Sequence, residues 1–232
     1  MSSVGRRSVL AGVGGLALMS TGIASAGVSR GQPPRRLDCS DLTADEVTDG
    51  WDLAGKLALV TGCNSGIGFE TMRVLAKRGA HVLGAARTSE KAVKACEQVA
   101  GTATPLTIEL TDFPSIRAAA AEVASLDRPL DMLICNAGVM GLPERTLSHG
   151  VEFQFAVNHL GHFLLVDQLL DQVIAADDGR VVVVSSELHR RAPPEGIKFD
   201  DLAWDADDYG GFVAYAHSKL ANVLFARALS RR

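Results

Sequence analysis

An α/β fold, a doubly wound parallel sheet with helices on both faces, is what this sequence predicts, and three observations lead to it. From Lys56 onward, short apolar runs alternate with segments of helical spacing. Most of those runs are continuously apolar, as strands covered on both faces are. A glycine-rich turn, Thr61 to Gly68, joins the first run to the first helix. Right-handed crossovers between such units wind the sheet in both directions.

Each element has its own signal. Thr43-x-x-Glu46 is a capping box and predicts a short helix from Ala44 to about Thr48. Leu57–Thr61 is strand one, ending at glycine. Phe69, Met72, Leu75 and Ala76 share one helical face, and Arg78-Gly79 closes that helix after Lys77. Val82–Ala86 is strand two, Glu90–Val99 a helix, Thr104–Leu110 strand three and Phe113–Ala124 a helix. Met132–Cys135 is strand four and Val151–Ile174 a long helix. Val181–Ser185, four valines running into serine, is strand five, and Ala214–Leu229 the last helix.

Composition narrows the function. At 47% hydrophobic and 22% charged, the 232 residues suit one globular domain with a sizeable core. A net charge of −4 gives no reason to expect nucleic acid or an anionic membrane surface. Cys39, Cys63, Cys96 and Cys135 are scattered without a C-x-x-C, so neither structural zinc nor a disulfide framework is legible. Cys63 and Cys135 read as small buried thiols.

Residues 1–26 read as an export signal. Arg6-Arg7 precede a charge-free run from Val9 to Ile23, and Ala24-Ser25-Ala26 offers a cleavage site. The paired arginines favour the twin-arginine route, which places the mature protein outside the cytoplasm. The alternative is a start codon assigned upstream of the true one, with the protein in the cytoplasm. The run is too short and glycine-rich for a membrane span. Residues 27–50 read as a linker with a short helix, and 51–232 as the nucleotide-binding domain.

The glycine-rich turn carries chemistry because of where it stands. Gly62 permits the tight turn, Gly66 lets the backbone approach phosphate, and Gly68 permits close helix packing. The following helix then presents its N-terminus to a pyrophosphate. Asn64, Ser65 and Ile67 complete the loop. An acid at the end of strand two would bind the adenosine ribose 2′-hydroxyl. Here Ala86 and then Arg87 occupy that place, which favours a 2′-phosphate and hence NADP, with NAD left open.

Tyr215 and Lys219 stand one helical turn apart. A free tyrosine, with a pKa of about 10, is a poor proton shuttle at neutral pH. A nearby ammonium favours its phenolate. Tyr209 has Val213 four residues on and lacks such a partner. Ser185-Ser186 ends strand five, at the edge where open α/β sheets place ligands, and a hydroxyl there can hold a reacting oxygen.

Taken together, these stretches resemble the short-chain dehydrogenase/reductase family, in its retinol dehydrogenase and WW-domain oxidoreductase branch. Gly55 to Gly68, Asn136-Ala137-Gly138, Phe155 to Phe163, Val182 to His189, Tyr215 to Lys219 and Leu220 to Phe225 carry the likeness. The resemblance implies a Rossmann fold and an NAD(P)-dependent oxidoreductase acting on a small alcohol or its carbonyl. It implies Tyr215 as general acid/base and Lys219 as the residue binding the nicotinamide ribose. It implies Ser186 as the family's serine, Asn158 as the holder of a relay water at a helix distortion, and Asn136-Ala137-Gly138 beside the cofactor. A homodimer is compatible with it. The family continues after the tyrosine helix with two further strands and a substrate-covering segment, whereas this sequence stops at Arg232. The expected fold therefore lacks the family's last strands and is incomplete at its C-terminus, which leaves a catalytically impaired nucleotide-binding relative as the alternative. A methyltransferase on a similar sheet would need no Tyr-x-x-x-Lys.

Overall fold

The computed structural model describes residues 42–231. The leader expected over 1–26, the linker up to residue 41 and Cys39 lie outside the described residues. Helix α1 (Ala44–Val47) opens on its capping box, with Glu46 N donating to Thr43 Oγ1 at 3.3 Å and the Glu46 carboxylate accepting from Thr43 N at 2.7 Å. Asp45 then binds Arg73 and Lys77 of α2 (Gly66–Lys77), each at 2.6 Å, and docks α1 on the domain.

Five parallel strands form the main sheet: β1 (Leu57–Thr61), β2 (His81–Ala86), β3 (Thr102–Thr107), β4 (Met132–Cys135) and, after a small hairpin of β5 (Leu147–Ser148) and β6 (Val151–Glu152), β7 (Arg180–Val183). Their spatial order is β3-β2-β1-β4-β7. The chain builds outward from β1 to β3 and then returns to lay β4 on the other side of β1. At that reversal the loops leaving β1 and β4 diverge, and a crevice opens at the carboxyl ends.

Side-chain alternation divides the interior into two cores. Leu57 and Leu59 pack with Ile116 and Ala120 of α4 (Phe113–Ala124) and with Leu165 and Leu169 of α6 (Gly161–Ile174). Ala58 and Val60 point the other way, to Met72 and Leu75 of α2 and Ala92 and Ala95 of α3 (Ser89–Cys96). With both faces covered, all five residues of β1 are buried, which is why the run reads as continuously apolar.

Several boundaries depart from the sequence expectation. The expected helix Val151–Ile174 is composite. His149 and Gly150, with φ of 51° and 76°, make a two-residue hairpin turn, so Val151 and Glu152 belong to a strand. A short α5 (Phe153–Phe155) follows, then a π-turn over Ala156–Leu160, then α6. β3 starts and ends earlier than Thr104–Leu110, because its register with β2 runs from His81↔Thr102 to Ala86↔Thr107. Pro105 is tolerated there because β3 is an edge strand. Helix α3 stops at Cys96 rather than Val99, where the chain turns toward Gly101 at φ 111°. Ladder pairing of β7 ends at Val183, and a 3-10 helix over Glu187–Arg191 follows the serine pair. α2 starts at Gly66 and the last helix, α7 (Gly211–Leu229), starts at Gly211, each three residues earlier than expected.

Candidate active site

The glycine loop supplies the first wall of the crevice. Gly62 and Gly66 hold φ of +70° and +55°, in the left-handed region that costs other residues strain. A Cβ on Gly68 would overlap the Gly62 carbonyl and the Asn136 side chain, so only glycine lets α2 approach the loop this closely. Gly66 has open space on its Cβ side. Ser65 stands at the N-cap of α2 without a side-chain hydrogen bond into the helix, leaving the first N–H groups of a 12-residue helix uncapped by it. These features fit a pyrophosphate.

A cleft of about 410 Å³ runs from this loop across the sheet edge. Gly62, Asn64, Ser65, Ile67 and Gly68, which follow β1, line its middle, and Asn136, Ala137 and Gly138, which follow β4, line one end. At the far end Arg87, 62% exposed, stands 3.9 Å from Glu109. The Thr111 N–H and hydroxyl bind Glu109 Oε1 at 3.1 and 2.9 Å, whereas Arg87 faces Oε2 beyond hydrogen-bond distance. Lys91 lines the same end. That second cation, in the first turn of α3, has no motif around it in the sequence.

Thr61 ties the two loops together. Its hydroxyl accepts hydrogen bonds from the backbone N–H of Asn136 at 2.9 Å and of Ala137 at 3.0 Å, while Asn136 Nδ2 donates to the Thr61 carbonyl at 2.9 Å. With both lone pairs used, the Thr61 proton goes to His162 Nε2, 2.9 Å away. His162 Nδ1–H then donates to the Asn158 carbonyl at 3.0 Å. This arrangement requires one neutral tautomer of a buried ring. Burial pushes the His162 pKa down to about 4.

The π-turn aims Asn158 at the site. Its Oδ1 accepts from Val139 N at 2.8 Å, and its Nδ2 donates to Val139 O at 2.9 Å and to Ser218 Oγ at 3.0 Å. The segment following Gly138 is thereby fixed at both backbone groups. Next to it lies Lys219, 3% exposed, whose Nζ donates to the Val184 carbonyl at 3.0 Å. Burial lowers its pKa to about 8. A Cβ on Gly138 would sit 3.1 Å from Asn158 Oδ1 and 3.6 Å from Lys219 Nζ, which measures how closely cleft, π-turn and lysine converge. The ammonium lies 5.6 Å from the Tyr215 ring centroid.

The two serines divide their tasks. Ser185 Oγ donates to the Lys219 carbonyl at 2.8 Å and so anchors α7 to the strand end. Ser186 Oγ accepts from Leu188 N at 3.2 Å as the cap of the 3-10 helix, which leaves its proton free to donate. No hydrogen bond joins Ser186 to Tyr215 or to Asn158 among the described residues. Tyr209, by contrast, is structural: its hydroxyl donates to the Leu142 carbonyl at 3.1 Å. Gln154 links Gly141 N (2.7 Å) to Gly211 O (2.9 Å) beside it. Gln154 carries no local motif, and although Thr61 and His162 lie inside motif stretches, only long-range partners reveal what the three side chains do. Cys63 and Cys135 are buried thiols pushed up to about 12 by desolvation.

A model of short chain dehydrogenases matches residues 56–198. Retinol dehydrogenase 13 of Homo sapiens is 42% identical over 78% of this chain and 55% of its own length. The WW domain-containing oxidoreductase of Homo sapiens is 39% identical over 82% and 48%. The chain thus spans about half the length of these curated relatives. Among solved structures, a protein from Mycobacterium paratuberculosis superposes with a TM-score of 0.70 at 38% identity, covering 80% of this chain and 65% of that one. A metagenomic short-chain oxidoreductase in complex with NADP gives 0.61 at 28%, covering 77% of each.

The buried His162 makes stability depend on acid. Its pKa in the folded protein, about 4, lies below the ordinary 6.5. Between those values the unfolded chain takes up a proton that the folded one refuses, so stability falls as pH drops from 6.5 toward 4. The shift corresponds to about 3 kcal/mol at the lower end. His217, also lowered to about 4, adds a loss of the same sign. His162→Asn should reduce the slope of unfolding free energy against pH in this window by about one proton, read by urea denaturation. An unchanged slope would assign the acid sensitivity elsewhere.

Proposed function

The chain belongs to the short-chain dehydrogenase family, and we propose that it is an NADP-preferring oxidoreductase interconverting a small-molecule alcohol and its carbonyl. One observation carries this reading: Lys219 is buried beside Tyr215 and within reach of Gly138, where the cleft built by the glycine loop meets the π-turn. Among the described residues no carboxylate pairs with Lys219; a buried ammonium so placed is costly, and a site that moves protons gives it a purpose.

The residues fit a dinucleotide, through the φ values of Gly62 and Gly66, the close packing at Gly68 and the uncapped start of α2. Gly62, Asn64, Ser65, Gly66, Ile67 and Gly68 hold the pyrophosphate in the middle, Arg87 the 2′-phosphate at one end, and Asn136, Ala137 and Gly138 the end toward Lys219. Tyr215 and Lys219 hold the nicotinamide ribose. The bound nucleotide supplies or accepts the hydride. In the reductive direction Ser186 donates to the carbonyl oxygen and Tyr215 protonates it. Lys219, charged at neutral pH even with its lowered pKa, stabilises the phenolate left behind. Asn158 keeps Val139, and with it the floor of the site, in place.

Arginine pairing at residues 6 and 7 supports a second proposal, export of the folded protein. Replacing both by lysine should hold the protein in the cytoplasm, and finding the parent there alone, uncleaved, would refute it.

Tyr215→Phe deletes the proton and keeps the ring. Turnover of a carbonyl panel should fall by about 10²–10⁴-fold while NADPH still binds, as measured by fluorescence titration. Turnover at the parent rate would sink the mechanism. A parent that binds NADPH and reduces no carbonyl would instead indicate cofactor binding without catalysis. Arg87→Ala should weaken NADPH at least about tenfold more than NADH, the worth of one charged contact to phosphate. Equal losses for the two cofactors would remove Arg87 from the 2′-phosphate.

A further inference from the structure

Asn222 lies on α7 three residues beyond Lys219, is 1% exposed, and is absent from the roles described so far. Every hydrogen-bonding group of its amide is used. Nδ2 donates to the Asn158 carbonyl at 3.1 Å and to the Val184 carbonyl at 3.2 Å. Oδ1 faces His159 Nδ1 at 3.2 Å, a geometry in which the imidazole N–H donates. The three partners come from the π-turn and the end of β7. One amide therefore closes the gap between the helix distortion, the sheet and α7.

Two of these acceptors matter to the site. Val184 O receives both Asn222 Nδ2 and Lys219 Nζ, so the amide and the ammonium lie within 3.2 Å and 3.0 Å of one oxygen. Asn158 O receives both Asn222 Nδ2 and His162 Nδ1, so the π-turn is held from α7 and from the Thr61 side at once. A continuous chain of hydrogen bonds thus runs Thr61, His162, Asn158, Asn222, Val184, Lys219.

We propose that Asn222 is a positioning residue for Lys219: by pinning the Val184 carbonyl and the π-turn together, it fixes where the ammonium sits and keeps water and other charge away from it. Asparagine suits this place because it donates twice and accepts once without carrying charge. Aspartate has the same shape, accepts only, and would bring a carboxylate close to the lysine. Alanine would leave two carbonyls and an imidazole N–H without partners and open room for water. The titratable groups facing Lys219 are Tyr215 on its own helix and His162 on α6, while His159 in the π-turn faces Asn222. The geometry stands on hydrogen bonds alone, whereas its consequence for turnover rests on the oxidoreductase reading.

The experiment compares Asn222→Asp and Asn222→Ala with the parent in two readouts. The first is the titration of Lys219, followed in the cofactor-free protein by NMR of ¹³C-labelled lysine and assigned with Lys219→Arg. A carboxylate beside the ammonium, or water admitted to it, favours the charged form. Both variants should titrate at higher pH than the parent, Asn222→Asp most of all. The second readout is turnover. kcat should fall by between about tenfold and a hundredfold, as misplacement of a reacting group costs, with NADPH affinity within about threefold because the amide lies outside the cleft. The midpoint of the pH–rate profile should move up with the lysine titration. Parent titration of Lys219 in both variants would overturn the proposal, as would loss of turnover that only tracks lowered thermal stability with an unmoved midpoint. If one variant fails to fold, the other decides. Because the NMR titration needs no substrate, a failure of the oxidoreductase reading would appear as absent parent turnover with the lysine shift intact.

Discussion

The hydroxyl of Thr61 sits at the one point where the doubly wound sheet reverses direction, and it is used three ways. Two backbone N–H groups of the β4 loop reach it, and its proton passes to His162 on α6. A parallel sheet that grows in both directions from β1 must splay apart at its carboxyl edge. Without that polar bridge the Ala137 N–H would lose its acceptor, at a cost of about 1–3 kcal/mol, and the Asn136 N–H would keep only the Ile134 carbonyl. The bridge makes the crevice a fixed shape. It also hands a hydrogen bond to the π-turn, so the cleft and Lys219 share one frame.

Burial of polar groups under this edge explains the run of unusual residues there. Gln154, Asn158, His162, His217, Ser218, Lys219 and Asn222 are all nearly inaccessible to solvent. No buried side-chain nitrogen or oxygen among the described residues lacks a partner. A satisfied polar network specifies geometry more strictly than apolar packing does, since each hydrogen bond tolerates only a few tenths of an ångström. The two apolar cores on either side of the sheet supply the driving force for folding. The network between them decides where Lys219 Nζ ends up. Small residues make room for this: Gly161 passes the Leu110 carbonyl, and Gly84 leaves its Cβ space to the sulfurs of Met72, Cys63 and Cys96.

Local pattern determined much of this protein. Leu57–Thr61, Phe113–Ala124 and Met132–Cys135 are found where periodicity puts them, because burial on both faces leaves an unbroken apolar signal in a strand and burial of Ile116, Ala119, Ala120 and Val123 leaves a one-faced signal in a helix. The capping box at Thr43 and the glycine loop were equally readable, since each depends on contacts within a few residues. What only the tertiary structure decided depends on distant partners. Asn158 and Lys219, distant in the sequence, meet against Gly138. β3 takes its limits from its register with β2, not from its own apolar run. The hairpin at His149-Gly150 breaks a helical pattern because two residues adopt positive φ. Ser185 anchors α7 through a carbonyl 34 positions away, and Asn222 reaches Asn158 across 64. Such pairs leave no periodic trace, because the physical cause of each residue's identity is a group that folding alone brings near.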